Sequence, residues 1–323
     1  VMSRGLGDVY KRQIYNKNLL HPWGDLSELG NDESSSVIVK GKGIHIFDSD
    51  GNKMIDGPAG MWCMQTGYGR KEIADAVSKQ ILSLSYATSF TLINDKETEL
   101  AKRISKQTPG DLNRIYFTTG GSTAVDSALR LCQLANNIKG ASNKKQIITR
   151  EKAYHGSTYL SASVTGKERD KTAMDVKREG IHFLKAPCHF YYPEFDNEDD
   201  FCDFLINELE EKIIEIGPEN IMAFIAEPIL ASGGVIVPPK NYNYRCWEVV
   251  KRYNIIYIAD EVVTAFGRLG YWFASEHVFG IIPDIIIFAK GITSGYIPMG
   301  GYAVSEKFMS TFSGDEADGC LSV

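Results

Sequence analysis

The sequence predicts an α/β protein, a mostly parallel β-sheet sandwiched by helices. Three observations carry this. Between residues 113 and 290, short apolar runs alternate with longer stretches of helical periodicity. The runs are rich in β-branched residues and lack the polar alternation of a half-exposed strand, so both of their faces are expected to be buried. Each run stops at glycine or at a polar residue, which in open α/β sheets is where ligands sit.

In chain order, "SSVIVKGKGIHIFDSDGNKMIDG" (35–57) reads as short strands joined at GKG and SDG turns, a small antiparallel unit ahead of the main sheet. "NRIYFTT" (113–119) reads as a strand, followed by "STAVDSALRLCQLAN" (122–136) as a helix with Val125, Ala128, Leu129 and Cys132 at helical spacing. "KQIITR" (145–150) is a strand, and "EDDFCDFLINELEEKIIEIG" (198–217) is an amphipathic helix closed by Gly217. "NIMAFIAEP" (220–228), "IIYIADE" (255–261) and "PDIIIFAK" (283–290) complete the strands, with a helix over "YRCWEVVKRYN" (244–254) between the first two. No internal repeat stands out.

The chain has 323 residues and a formal charge of -6. That length buries a large core and suggests one big domain with a smaller part. The acidic balance leaves no electrostatic footprint for nucleic acid. No apolar run is long enough to span a membrane, and the first residues carry no apolar signal-peptide core. Six cysteines lie scattered at 63, 132, 188, 202, 246 and 320, with no CxxC pair. They read as thiols in a reducing, cytoplasmic setting. Cys188, His189 and His182 match no zinc spacing, so no metal is expected. "VMSRGLGDVYKRQ" (1–13) has no clear period and reads as extraneous translated sequence or a flexible terminus.

The strand ends deliver a specific set of groups. They are Gly120-Gly121-Ser122-Thr123 at a helix start, Tyr154-His155-Gly156, Glu227-Pro228, Asp260-Glu261 and Lys290. Singly, each has a plain structural reading: an N-cap, a buried carboxylate, a snorkelling lysine. Together they fit pyridoxal phosphate. A helix N-terminus with glycines and hydroxyls binds a phosphate. A buried lysine amine forms a Schiff base with an aldehyde. A carboxylate paired with the pyridinium nitrogen keeps the ring an electron sink. An aromatic ring stacks on the cofactor face. A dinucleotide site is the obvious rival, but no G-x-G-x-x-G follows the first strand.

"FTTGGSTAVDSALRLC", "AYHGST", "AFIAEPI", "IADEVVTAFGRLG" and "IIFAKGITSGYIPMGG" occur in this order along the chain. This core resembles the class III aminotransferases, among the fold-type I pyridoxal-phosphate enzymes, from about residue 14 to about residue 314. "MWCMQTGYGRKEIADAV" (61–77) resembles a stretch of the amine and ω-amino acid:pyruvate transaminase branch. The resemblance implies a seven-stranded-type sheet and a partial small domain. It implies Lys290 as the Schiff-base lysine and proton shuttle, Asp260 as partner of the pyridine nitrogen, and Gly121 and Ser122 as phosphate ligands. Tyr154 would stack on the ring, supported by His155, with Val262 on the opposite face. Glu227 would orient cofactor or substrate, Trp62 would line the substrate pocket, and Gly291 would leave room for the cofactor.

The resemblance further implies a homodimer with active sites at the subunit interface. Residues 14–65 would begin the small domain, 66–310 would form the large cofactor domain, and 311–323 would be a truncated end with the rest of the small domain missing. Ala265 and Leu269 stand where the family often has glycine and threonine, and "ILASGGV" departs from its usual glycine-rich turn. The reaction implied is ping-pong transfer of an amino group from an amine or ω-amino acid to an α-keto acid, with pyruvate the expected acceptor. A class III racemase or aminomutase is the rival within the cofactor. An inactive fragment or binding module is the rival of another class.

Overall fold

The structure, a computed structural model, describes residues 19, 22 and 36–312. The expectations for residues 1–13 and for the end beyond residue 312 therefore lie outside the described residues. The chain divides into two compact units. One comprises the described residues up to Met61 with Thr66–Ala76, and the other Trp62–Gln65 with the described residues from Val77 onward.

In the first unit, β1 (Ile38–Lys42), β2 (His45–Asp48) and β3 (Lys53–Ile55) form an antiparallel sheet. Its second turn is held by Asp48, whose Oδ1 accepts the N–H groups of Asp50 at 3.0 Å and Asn52 at 2.8 Å. That is the local reason an Asp-x-Asp-Gly string turns here.

The second unit carries β4 (Arg114–Thr118), β5 (Gln146–Arg150), β6 (Ile181–Leu184), β7 (Ile221–Ala226), β8 (Ile256–Asp260), β9 (Ile285–Phe288) and β10 (Gly300–Val304). They form one seven-stranded sheet in the order β4-β10-β9-β8-β7-β5-β6. All pairings are parallel except those of β10, which runs antiparallel to both β4 and β9. The mostly parallel sheet expected from the sequence is present. Two of its strands were not legible. β6 has only four residues, and β10 opens on two glycines.

Strand alternation sorts the core into two layers. Ile285 and Ile287 join one cluster with Val125, Ala128, Leu129 and Cys132 of the Gly121–Ile138 helix. Ile286 and Phe288 join the other, with Phe201, Leu205 and Leu209 of the Glu198–Ile216 helix and Val249 of the Tyr242–Arg252 helix. The sheet is thus covered on both faces, which explains why β7 reads "IMAFIA" with every residue buried. Burying one such Ile or Phe stabilises the fold by roughly 1.5–3 kcal/mol. Among the described residues, no helix is long and apolar enough to cross a membrane.

The glycines opening β10 have a packing reason. A Cβ on Gly300 would lie 2.6 Å from the carbonyl of Gly120, at the end of β4. Gly300→Ala is expected to displace the Gly120–Ser122 turn and to cost about 1–3 kcal/mol, as overpacking does. Denaturant unfolding checks this, and an unchanged midpoint would mean that the two strands separate freely.

Candidate active site

The groups singled out in the sequence lie at one end of the sheet, the carboxyl ends of β4, β5, β7, β8 and β9. At the end of β4, Gly120 is extended and the Gly121–Ile138 helix begins. The hydroxyls of Thr118 and Thr123 both donate to the Gly120 carbonyl, at 3.0 Å and 2.9 Å. A Cβ on Gly121 would lie 3.2 Å from Val262 Cγ2 and 3.5 Å from the Ala289 Cβ. A side chain at position 121 would therefore crowd Val262 and pack on Ala289.

Ser122 joins this turn to the next loop. Its Oγ accepts the Ser157 N–H at 3.1 Å, and its carbonyl accepts the Thr158 hydroxyl at 3.2 Å. Gly156 has φ +139°, and a Cβ there would lie 2.5 Å from Ser122 Oγ. Backbone and hydroxyl groups from "GGST" and "HGST" thus share one turn at a helix N-terminus. That donor set suits a phosphate.

Asp260 closes β8 and is buried. Its Oδ2 meets His155 Nδ1 at 2.7 Å, and its Oδ1 accepts the Val262 N–H at 3.1 Å. The buried His155 is fixed on its other sides as well. Its Nε2 lies 3.3 Å from Thr149 Oγ1, and its backbone N–H donates to Thr165 Oγ1 at 2.9 Å. A carboxylate pinned by an imidazole and a backbone amide keeps one orientation.

Glu261, next in sequence, does a different job. It is fully buried, and it accepts the N–H groups of Ala274 at 2.7 Å and Ser275 at 2.9 Å, besides the hydroxyls of Ser275 and Thr264. It caps the Ala274–Phe279 helix and so braces the segment after β8.

Glu227 follows β7. Its Oε1 accepts the Tyr154 N–H at 2.8 Å and its Oε2 the Ala231 N–H at 3.1 Å. Burial pushes its carboxyl up to about 7, with the nearby Asp260 adding to the rise and His155 and Arg150 opposing it. An acid whose folded pKa lies above its unfolded value binds more protons folded than unfolded. Its contribution to stability is therefore greatest below about 4.5 and is lost as pH rises towards about 7. Glu227→Gln is expected to flatten the decline of stability between these values, which chemical unfolding at a series of pH values would reveal. A slope identical to the parent's would remove Glu227 as its source.

Arg150, which closes β5, was not singled out from the sequence. It is fully buried, donates from Nη2 to the Glu227 carbonyl, and lies 5.9 Å from the Tyr242 ring centroid. The only local signal was a basic residue ending an apolar run.

Lys290 begins a short turn two residues beyond β9 and has φ +46°. A non-glycine residue in this region is strained, and such strain collects at functional positions. Its amine lies 5.9 Å from the centroid of the Trp62 ring, and Trp62 has φ +65°. The sequence reading expected a buried amine. Lys290 is only partly buried, because the chain has left the sheet's covered strand by this point. Gly291 also has a reason of its own. A Cβ there would meet Gln65 Nε2 at 2.3 Å and the Phe266 Cβ at 2.9 Å. Tyr154 is partly buried, with the Lys167 amine 5.6 Å from its ring centroid. Burial raises the Tyr154 phenol. His182 and His189 have partners of their own, Gln146 Oε1 at 2.5 Å and the Phe195 carbonyl at 2.9 Å.

A sequence profile described as "Aminotransferase class-III" matches residues 27–319. A putrescine–pyruvate aminotransferase of Pseudomonas aeruginosa is 40% identical over 297 residues, which are 91% of this chain and 64% of that protein. The chain thus spans under two thirds of that relative's length. The crystal structure of an (S)-enantioselective ω-transaminase from Thermomicrobium roseum superposes with a TM-score of 0.92 at 35% identity, covering 100% of this chain and 71% of that one. An ω-transaminase from Pseudomonas jessenii in complex with PMP superposes with a TM-score of 0.91 at 32% identity, covering 98% and 69%.

Proposed function

The chain belongs to the class III aminotransferase family, and on that premise we propose that it serves a pyridoxal-phosphate-dependent transaminase. The reaction moves an amino group from an amine or ω-amino acid to an α-keto acid, with pyruvate as acceptor. One observation carries the reading. A buried carboxylate, Asp260, is pinned by His155 and by the Val262 N–H at the same sheet end as a strained lysine and a glycine–hydroxyl turn. The relative named for putrescine and pyruvate, and the neighbours named as ω-transaminases, support the substrate class.

The residues fit the cofactor, since a Cβ added at Gly120 would meet nothing within 4 Å and the turn beside it carries the Ser122 and Thr123 hydroxyls at a helix N-terminus. When bound, pyridoxal phosphate supplies an electrophilic aldehyde and an electron-withdrawing ring. In this assignment Gly121 and Ser122 hold the phosphate. Asp260 would pair with the pyridine nitrogen, and His155 keeps that carboxylate oriented. Val262 and Tyr154 would bound the two ring faces. Glu227 holds the Tyr154 backbone and so sets the stacking ring. The Lys290 amine takes and returns the substrate's α-proton, and Trp62 walls the pocket beside that amine.

Residues 66–310 are assigned to the cofactor domain and 14–65 to the start of the small one. A cytoplasmic setting accords with the free cysteines 63, 132, 188, 202 and 246. The assembly is proposed as a homodimer. Leu82, Phe90 and Ile93 support this, being 86%, 94% and 89% exposed within twelve residues of one another. Phe90→Asp is expected to shift the protein to a monomer in light scattering. A parent that is itself monomeric at tens of micromolar would end the dimer assignment.

The test of the reaction is a half-reaction. The cofactor-loaded protein, given an amine donor without keto acid, should lose its cofactor absorbance band, and pyruvate should restore it. Turnover that needs no keto acid would favour the racemase or aminomutase. Failure to retain cofactor would favour the non-catalytic module.

A further inference from the structure

Around Lys167 and Lys171 the described residues form a cleft of about 640 Å³. Its charged lining is Glu151, Lys152, Lys167, Glu168, Arg169 and Lys171, four cations against two acids. This excess runs against the chain's overall charge of -6. Asp170 offsets part of it, meeting the Lys167 amine at 3.0 Å and the Arg169 Nε at 3.2 Å.

Lys171 is the unusual member. Its side chain is only 3% exposed, and its amine lies 4.5 Å from the Phe183 ring centroid. Its acid neighbour, Glu168, approaches to 3.6 Å, beyond hydrogen-bond distance, and gives its other oxygen to Arg178 at 3.0 Å. A largely buried ammonium whose acid partner stands at ion-pair distance and is shared with Arg178 keeps the capacity to hold a further anion. The walls are firmly built. A Cβ on Gly233 would lie 2.6 Å from the Lys152 carbonyl, and one on Gly166 would run into the Arg150 carbonyl.

We propose that this cleft is a binding site for a small oxyanion, a carboxylate or a phosphate, held by Lys171 with Lys152 and Arg169 at its rim. The site does not depend on the transaminase reading. It is nonetheless connected to Tyr154. The Lys167 amine donates to Ser232 Oγ at 3.0 Å and lies over the Tyr154 ring, 5.6 Å from its centroid, and Ala231, next in the chain, is tied to Glu227. An occupant would therefore be felt at the aromatic ring of the candidate active site.

Isothermal titration of the full chain with inorganic phosphate and with malonate, at constant ionic strength set by chloride, tests the proposal. The expected result is saturable binding of at least one of them, weakened about tenfold or more in Lys171→Met, as losing one charge-assisted contact implies. The same binding should be kept in Lys171→Arg and in Ser122→Ala, which alters the separate phosphate turn. Binding lost in Ser122→Ala but kept in Lys171→Met would overturn it, because the anion would then sit in that turn. So would the absence of saturable binding by either probe. Should Lys171→Met not fold, Glu168→Gln serves instead. Removing the competing acid should tighten binding severalfold, and unchanged affinity would overturn the proposal.

Discussion

Lys290→Ala is expected to abolish transamination, lowering turnover by about 10⁴-fold or more, since the proposed mechanism routes both covalent attachment and proton transfer through this amine. The variant should remain folded. Lys290 sits in a turn after β9, only partly buried, with its amine over the Trp62 ring, so truncation removes no core contact of the strand. Alanine keeps the strained φ of +46°, so some of that strain persists and cofactor binding should be weakened. The readout that separates chemistry from folding is a trap. Borohydride reduction of the cofactor-loaded parent should place a pyridoxyl group on the peptide containing Lys290, and on no single peptide in the variant. Turnover within tenfold of the parent would sink the assignment, whatever the trap showed.

Asp260→Asn is the second large effect expected, a fall in turnover of about 10²–10³-fold. Asparagine has the same shape and can still accept the Val262 N–H, so the loop after β8 should hold. What it lacks is the negative charge that, in the proposed assignment, would pair with the pyridine nitrogen and keep the ring electron-withdrawing. His155 loses an anionic partner at 2.7 Å, so the imidazole is held less firmly in its orientation. Two measurements bear on this together, single-turnover rates with the amine donor and the pH profile of that half-reaction. Rates within threefold of the parent, with an unmoved profile, would assign Asp260 a structural role only.

The two adjacent carboxylates show where sequence reading stops. Asp260 and Glu261 are indistinguishable as letters at the end of "IIYIADE". Folded, Asp260 meets His155, whereas Glu261 is consumed by the amides of Ala274 and Ser275. Successive residues at a strand end point to opposite sides, so one charge can serve a ligand while its neighbour caps a helix.

The same boundary runs through the rest of the molecule. The alternation of unbroken apolar runs with helical periods determined, from the sequence alone, an α/β sheet covered on both faces. The groups ending those runs pointed to the carboxyl end of the sheet as the candidate site, and the fold gathers them there. Both signals are local, because hydrophobic period and strand-ending residues are written within about ten positions. The antiparallel course of β10, the closeness of Gly300 to Gly120, the buried Arg150 holding the Glu227 carbonyl and the cleft around Lys171 were decided only by the tertiary structure. Each joins segments far apart in the chain, and a contact of that kind leaves no period or spacing in the sequence by which it could be read.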